Sequence, residues 1–400
     1  MRDATRFGER RFGVALVRLI VLLALIISFG CTKKNSGATA SASGSEASEI
    51  LIGEVGSLTG NEASFGVSTK EGVDLAIEEI NKAGGIKGKK VRVLVLDDQG
   101  KPEEAATAVT RLITQDNVVA ILGEVASSRS LAMAPIAQAN KVPMISPAST
   151  NPKVTEVGNY IFRVCFIDSF QGSVMANFAF NSLKAKKAAI LRDVKNDYSV
   201  GLSNIFAEEF KKMGGKIVVD QSYSAGDVDF KSQLTSIRAE NPDVLFVPGY
   251  YTEVGLISRQ AKEIGLAAKM LGTDGWDSTK LLEIGGSALN GNFFSNHYSP
   301  DDKNPKIQSF ISQYKKLHGM VPDSMAVLGY DAMMVLADAI KRAKTFSPTD
   351  IRDALAATKE YPGVTGSITI NDRRDAIKPA VVIEIKNGHY AFRESVSAGG

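Results

Sequence analysis

At 400 residues the chain is too long for one ordinary domain and about right for two or three, with the 44% hydrophobic and 23% charged content of a globular protein able to bury large cores. Its net charge of +3 comes from the first thirty residues, where Arg2, Arg6, Arg10, Arg11 and Arg18 face only Asp3 and Glu9; the remainder carries 42 basic and 42 acidic side chains and supplies no basic field for nucleic acid. Two cysteines 134 residues apart exclude a disulfide scaffold and a zinc ribbon, and three scattered histidines argue against a His-rich metal site, so no metal or cofactor is expected.

The arginine-rich start leads into an apolar run over residues 19–29, or from 14 if Arg18 is tolerated inside it. Such a run is too short to span a bilayer, which takes about 20 residues, and suits the apolar region of a signal peptide. It ends at Ser28-Phe29-Gly30-Cys31, which resembles the lipobox of bacterial lipoproteins, where the cysteine receives lipid and becomes the new N-terminus. The lipobox prefers Leu three residues before the cysteine and a small residue two before; here these are Ser28 and Phe29. Residues 32–49 are mostly Ser, Ala, Gly and Thr and read as a flexible tether. The expectation is a signal peptide over 1–30, then lipidated Cys31 and a tether over 31–49; an ordinary cleaved signal or an uncleaved anchor are the alternatives. In each case the body is exported.

From Ile50 the chain alternates strand, glycine-rich loop and helix. Residues 50–55 form a short apolar strand, and Val73, Ala76, Ile77 and Ile80 then recur at helical spacing up to Ala83-Gly84-Gly85, a left-handed helix end. Strands over 91–96, 118–122 and 142–145 alternate with helices over 102–115, proline in the first turn, and 128–140. The rhythm restarts near Ser169 with helices over 169–183, 199–213 and 230–240 and strands over 188–191, 217–219 and 244–247. Met213-Gly214-Gly215-Lys216 echoes the earlier Ala-Gly-Gly. Helices over 325–344 and 347–358 and strands near Ile368 and over 381–385 close the chain. Continuous apolar strands alternating with helices predict an α/β fold of two doubly wound parallel-sheet units, hinged around a cleft.

The motifs of several enzyme classes are missing: there is no His-Glu-x-x-His, no Gly-x-Ser-x-Gly and no phosphate loop. His297, His318 and His389 read as surface or loop histidines, and Cys165 as a buried free thiol. Ligands of doubly wound sheets bind beyond the C-terminal ends of the strands. Three such ends are rich in small polar residues: Gly123-Glu124-Val125-Ala126-Ser127-Ser128, Ser146-Pro147-Ala148-Ser149-Thr150, and Gly272-Thr273-Asp274-Gly275-Trp276. Exposed N–H groups and hydroxyls on the first two suit a carboxylate, and Asp274 an ammonium, so the set complements a zwitterion; taken singly, each loop is also ordinary helix capping.

At these loops the chain resembles the periplasmic branched-chain amino acid binding proteins, the leucine/isoleucine/valine-binding family of type I solute-binding proteins. The resemblance is carried by Ile52-Gly53-Glu54-Val55-Gly56-Ser57-Leu58-Thr59-Gly60, by Glu79 through Gly88, by Val142-Pro143-Met144-Ile145-Ser146-Pro147-Ala148-Ser149-Thr150-Asn151-Pro152, by residues 193–201, by Val247-Pro248-Gly249-Tyr250-Tyr251 and by Gly272-Thr273-Asp274-Gly275. It implies one lobe of residues 50–167 plus 298–377 and a second of 168–297 plus 378–400, joined by a three-crossing hinge that closes over one small ligand for delivery to an ABC permease. It places Ser128 and Thr150, with Ser127 and Ser149 beside them, on the ligand carboxylate, the Ala148 carbonyl and Asp274 on its ammonium, Tyr198 and Tyr250 over the ligand, and Phe65 in the side-chain pocket. Three departures bear on ligand class. Asp274 stands where the family has glutamate. Arg129 occupies a small polar position, as a solvated first-turn arginine or as a reach toward an acidic or amide ligand. Gly100 and Ala126 stand where some relatives have a disulfide. The implied protein is a non-enzymatic, monomeric lipoprotein of the periplasm or cell surface that binds a branched-chain or other neutral amino acid. A ligand-sensing input to a receptor, or a binder of small amides, urea or other amino acids, is the alternative.

Overall fold

A computed structural model describes residues 49–397; the signal peptide, Cys31 and the tether expected before them lie outside the described residues. The chain enters on β1 (Glu49–Gly56) and continues through α1 (Ala63–Lys82), β2 (Lys90–Asp97), α2 (Pro102–Thr114), β3 (Ala120–Leu122), α3 (Ser127–Ala139), β4 (Met144–Ser146), α4 (Lys153–Glu156) and β5 (Ile161–Arg163). The five strands are parallel, in the order β2-β1-β3-β4-β5. Their residues alternate between two apolar layers. Ile52, Leu122, Ile145 and Phe162 pack on the side of Phe65 and Val73 of α1, while Val55, Ile121, Met144 and Ile161 pack with Leu112 of α2 and Met133 of α3. Both faces are thereby covered, as a parallel sheet requires.

The second sheet repeats the plan. After α5 (Asp168–Asn177), which runs into a π-helical turn over Phe178–Ser182, come β6 (Lys187–Asp193), α6 (Asp197–Lys212), β7 (Lys216–Tyr223), α7 (Lys231–Ala239), β8 (Val244–Phe246), α8 (Tyr251–Glu263), β9 (Lys269–Gly272), α9 (Thr279–Gly285) and β10 (Phe293–Asn296). The chain then returns through α10 (Pro305–His318), α11 (Ser324–Arg342), α12 (Pro348–Ala356) and the three-stranded antiparallel β11 (Tyr361–Gly363), β12 (Gly366–Ile370) and β13 (Ala376–Ile377). It ends in β14 (Ala380–Lys386) and β15 (His389–Val396), which pair antiparallel at the edge of the second sheet. The order β7-β6-β8-β9-β10 matches β2-β1-β3-β4-β5 strand for strand, which is the internal similarity expected from the paired glycine motifs. Gly84 and Gly214 both take positive φ, at 97° and 94°, ending α1 and α6 in the same way.

Although α11 is remote in sequence, it packs directly on α1. A Cβ on Gly72 would stand 1.9 Å from the carbonyl oxygen of Ala326, and one on Gly329 would stand 2.4 Å from that of Thr69. Two glycines on facing helices thus let the backbones touch, and this contact fixes the start of α1, where Phe65 lies. No helix among the described residues is long and apolar enough to cross a membrane.

Candidate ligand-binding site

The loops at the C-terminal ends of the two parallel sheets meet each other. The Ser64 N–H donates to Tyr251 Oη at 3.1 Å, the Ser64 and Ser278 hydroxyls lie 2.8 Å apart, Thr252 Oγ1 donates to the Asn61 carbonyl at 2.7 Å, and Asn151 Nδ2 to the Asp197 carbonyl at 3.0 Å. Every sequence-derived site residue of the described chain lies in this zone or lines it.

On the first sheet, the loop after β3 is locked to the loop after β4 through one carbonyl. Glu124 O accepts from Ser130 Oγ at 3.0 Å, Ser146 Oγ at 2.7 Å and Ser149 Oγ at 2.9 Å. Ser127 Oγ accepts from the Asn151 N–H at 3.2 Å. Ser127 and Ser149 therefore hold the loops in place. Ser128 points the other way, donating to Asp197 Oδ2 at 3.0 Å and accepting from the Asp197 N–H at 3.1 Å. Buried Thr150 makes no well-aligned hydrogen bond through Oγ1, though its hydroxyl lies close enough to Asp168 to favour that carboxylate, and Ala148 is buried two residues before it. A buried hydroxyl whose hydrogen bonding is incomplete carries a desolvation cost that a ligand oxygen would relieve.

On the second sheet, Asn196 caps α6 by accepting from the Tyr198 N–H at 3.0 Å, which sets Tyr198 at the first turn. Its Oη donates to Asp274 Oδ1 at 2.7 Å, accepts from the Gly275 N–H at 2.9 Å and lies 2.6 Å from Thr273 Oγ1. His297 Nε2 sits 3.0 Å from Asp274 Oδ2. Asp274 is thus buried with both oxygens engaged. Tyr250 stacks on Tyr198 with ring centroids 5.3 Å apart and meets the edge of Phe65 at 5.4 Å, so the three aromatics form one wall reaching across both sheets. A short relay joins the sides: the Asp168 N–H donates to the Thr150 carbonyl, Gln171 Nε2 donates to Asp168 Oδ1 at 2.9 Å, and the Asp274 N–H approaches Gln171 Oε1 at 3.5 Å. Burial pushes the Asp168 carboxyl up to about 7, with Thr150 and Gln171 opposing it.

Two readings of the sequence are corrected here. Arg129 is not a solvated first-turn arginine; it is 4% exposed and surrounded by carboxylates. Its Nη2 lies 2.6 Å from Glu62 Oε2 and its Nε 3.1 Å from Glu124 Oε2 and 3.8 Å from Asp98 Oδ2. Burial raises Glu124 to about 7 despite that guanidinium, and Asp98 shifts in the same direction for the same reason. His297 is not a surface histidine; it is buried, and its ring stacks on Phe166 at 3.8 Å. Cys165 is the buried free thiol expected, and burial pushes it up to about 12, far from a thiolate at neutral pH. Glu62, Asp98, Asp168 and Gln171 carry no signal in isolation, since each becomes a neighbour of Arg129 or Asp274 only through the tertiary fold; Glu124 lies in a marked loop, but its pairing with Arg129 is not apparent there. His297 has a weak signal: it leaves the end of a strand, as Asp274 does.

Beside the site an open cavity of about 560 Å³ is lined by Asp277, Tyr298, Asp323 and Tyr390 among others. Among the described residues no group of three His, Cys, Asp or Glu side chains is placed to hold a metal ion.

Two doubly wound sheets that face each other across the C-terminal ends of their strands, with a buried acid, a buried hydroxyl and an aromatic wall between them, define a type I solute-binding protein. The chain belongs to the periplasmic binding protein family, whose model matches residues 49–389; it is a binding protein of the extracytoplasmic space and not an enzyme. It is similar to the leucine-binding protein LivK of Thermotoga maritima, at 42% identity and a TM-score of 0.84 over 87% of this chain and 99% of that one. It is also similar to LivJ of Streptococcus pneumoniae, a branched-chain amino acid transporter substrate-binding protein solved with isoleucine, at 33% identity and a TM-score of 0.82 over 87% and 99%. The Leu/Ile/Val-binding protein homolog 3 of Brucella melitensis is 32% identical over 83% of this chain and 90% of its own.

Proposed function

We propose that this protein captures a branched-chain or other neutral amino acid and delivers it to the permease of an ABC importer. The observation that carries this reading is the pairing of a buried carboxylate, Asp274, beyond the second sheet with a buried hydroxyl that has no well-aligned hydrogen bond, Thr150 Oγ1, beyond the first. A zwitterion places its ammonium on Asp274 and the Ala148 carbonyl and its carboxylate on Thr150 and Ser128, where it competes with the Asp197 carboxylate. Phe65, Tyr198 and Tyr250 enclose its side chain, and Ser127 and Ser149 brace the loops. The names of the relatives, which bind leucine, isoleucine or valine, support the aliphatic class. Arg129 supports it too: with three carboxylates around it, its charge is spent inside the protein and is not free for an acidic ligand.

Residues 50–167 with 298–377 form one lobe in this reading and 168–297 with 378–400 the other. Contacts such as Ser64–Ser278 then exist only when the lobes are closed, and ligand shifts the hinge equilibrium toward that state. Lipidation at Cys31 anchors the monomer beside its permease. The test is thermal unfolding of the protein with each of the twenty amino acids, small amides, urea and short carboxylates. A ligand at 100 times its dissociation constant adds about 2.7 kcal/mol. Stabilisation by Leu, Ile or Val is the expected result. Stabilisation only by amides, urea or carboxylates would move the ligand class, and none at all would overturn the reading.

A further inference from the structure

We propose that His297 is a positioning residue that couples the ligand-binding carboxylate of Asp274 to one proton, so that ligand is held while the imidazole is neutral and let go when it charges. The inference rests on the reading of Asp274 as the partner of the ligand ammonium.

The geometry selects one state of the ring. A carboxylate oxygen only accepts hydrogen bonds, so the imidazole nitrogen 3.0 Å from Asp274 Oδ2 carries the proton and donates it. The other nitrogen, Nδ1, is buried with no partner. In the neutral ring this is a bare lone pair; in the charged ring it is a second N–H with nothing to receive it. Stacking on Phe166 holds the ring in that orientation. With Tyr198 donating to the remaining oxygen, Asp274 meets the ligand between two neutral donors, neither of which supplies a countercharge. Once His297 charges, Asp274 has a cation of its own, and the ligand ammonium loses the attraction that held it.

The surroundings oppose that charging. Cys165, His297 and Lys378 lie on the three segments that pass between the two sheets, and all three are buried. Burial holds the imidazole below its ordinary range against the pull of Asp274, with Lys378 adding to the depression. Lys378, whose amine donates to Thr365 Oγ1, is itself lowered to about 8 by burial and stays largely charged at neutral pH. Cys165 remains a thiol. Tyr198 stays neutral, its phenol raised by burial and by Asp274, and Asp168 faces Asp274 from α5. A second positive charge in this setting comes only at lower pH, and a bound ammonium pushes that pH lower still.

The experiment is calorimetric titration of the intact protein with L-leucine from pH 5 to 8, for wild type, His297→Gln and His297→Phe, with the imidazole signals followed by NMR. The chain has three histidines, so the His297 signal is the one missing from the variants. The wild type is expected to weaken by up to about tenfold for each pH unit below the imidazole pKa of the free protein, the slope of one linked proton. His297→Phe, without a donor, binds more weakly at pH 8; His297→Gln, whose amide N–H reaches the same oxygen, recovers part of the loss; neither shows the slope. Leucine also moves the His297 titration to lower pH in the wild type, a readout that stands even if a variant fails to fold. An unchanged slope in a folded His297→Gln, or a His297 titration indifferent to leucine, overturns the proposal alone. No leucine binding at any pH overturns the ligand reading on which it stands.

Discussion

Asp274 and Arg129 are both buried charges, yet the structure uses them in opposite ways. Around Arg129 the partners come from the protein: Glu62, Asp98 and Glu124 converge on one guanidinium. Removing it strands carboxylates in a buried site, so Arg129→Met is expected to cost about 3–5 kcal/mol of stability, read from urea unfolding, even though the methionine fills similar space. Around Asp274 the protein supplies only neutral or weakly basic donors, and in the proposed function the ligand ammonium is the countercharge. Asp274→Ala is therefore expected to weaken leucine binding by roughly 3–5 kcal/mol, read by calorimetry, while stability changes much less. Micromolar binding that survived this substitution would remove Asp274 from the site. The sequence marked Asp274 by its place at a strand end but misjudged Arg129. Adjacent to Ser128 in the first turn of a helix, it has the local appearance of a solvated residue; Glu124 lies five residues back in the loop before that helix, but Asp98 and Glu62 lie 31 and 67 residues back, and only the sheet order brings those two to it.

At the scale of elements, most of the alternation of strand and helix was legible because apolar spacing and glycine breaks are local. Helix α2 begins with Pro102 at its first turn, and α1 and α6 end in glycines of positive φ, as expected. The sequence rhythm does not mark helices α4, α8, α9 and α10. Ile307, Phe310, Ile311 and Tyr314 do carry a helical period, but the stretch lies after the apparent repeat, where no rhythm prompted the reading. The contact between α1 and α11 was not legible, because glycines inside helices signal close packing only once the facing helix is known. Gly72→Ala is expected to force the two backbones apart and lower stability by about 1–3 kcal/mol, measured as a fall in the thermal midpoint. It is also expected to weaken ligand binding, since α1 presents Phe65. An unchanged midpoint would mean that the helices can separate without loss.

At the scale of the whole molecule, the fold buries acids as well as apolar groups, and their protons link stability to pH. Glu54, inside β1, is raised to about 8 by burial, with Asp74 adding to the shift and Lys70 opposing it, and its Oε2 has no partner. The folded chain holds this proton over a range where the unfolded chain, near the usual 4.5, has lost it. The contribution of Glu54 is therefore full below about 4.5 and is lost as pH rises through about 8. Glu54→Gln, which mimics the protonated side chain, is expected to match the wild type at pH 4 and to exceed it by a margin that grows to pH 8 and then levels. Urea midpoints of the two proteins across that range decide it, and parallel curves would show that Glu54 titrates normally. Glu124, Asp168 and Asp323, each raised to about 7, act in the same direction.

The amino-acid sequence by itself determined the neutral body behind a basic N-terminal stretch, the parallel α/β class, the doubled plan and the loops that carry Ser128, Thr150 and Asp274. Each follows from composition or from spacing within about twenty residues, and periodicity and turn chemistry act at that range. Only the tertiary structure decided how those loops meet, that His297 reaches Asp274, and that the charge of Arg129 is spent inside the protein. Such contacts join residues tens to hundreds of positions apart. They depend on which strands lie side by side and on how closely the two sheets approach, and burial, which turns a common side chain into a partner with a shifted proton, arises only when they do.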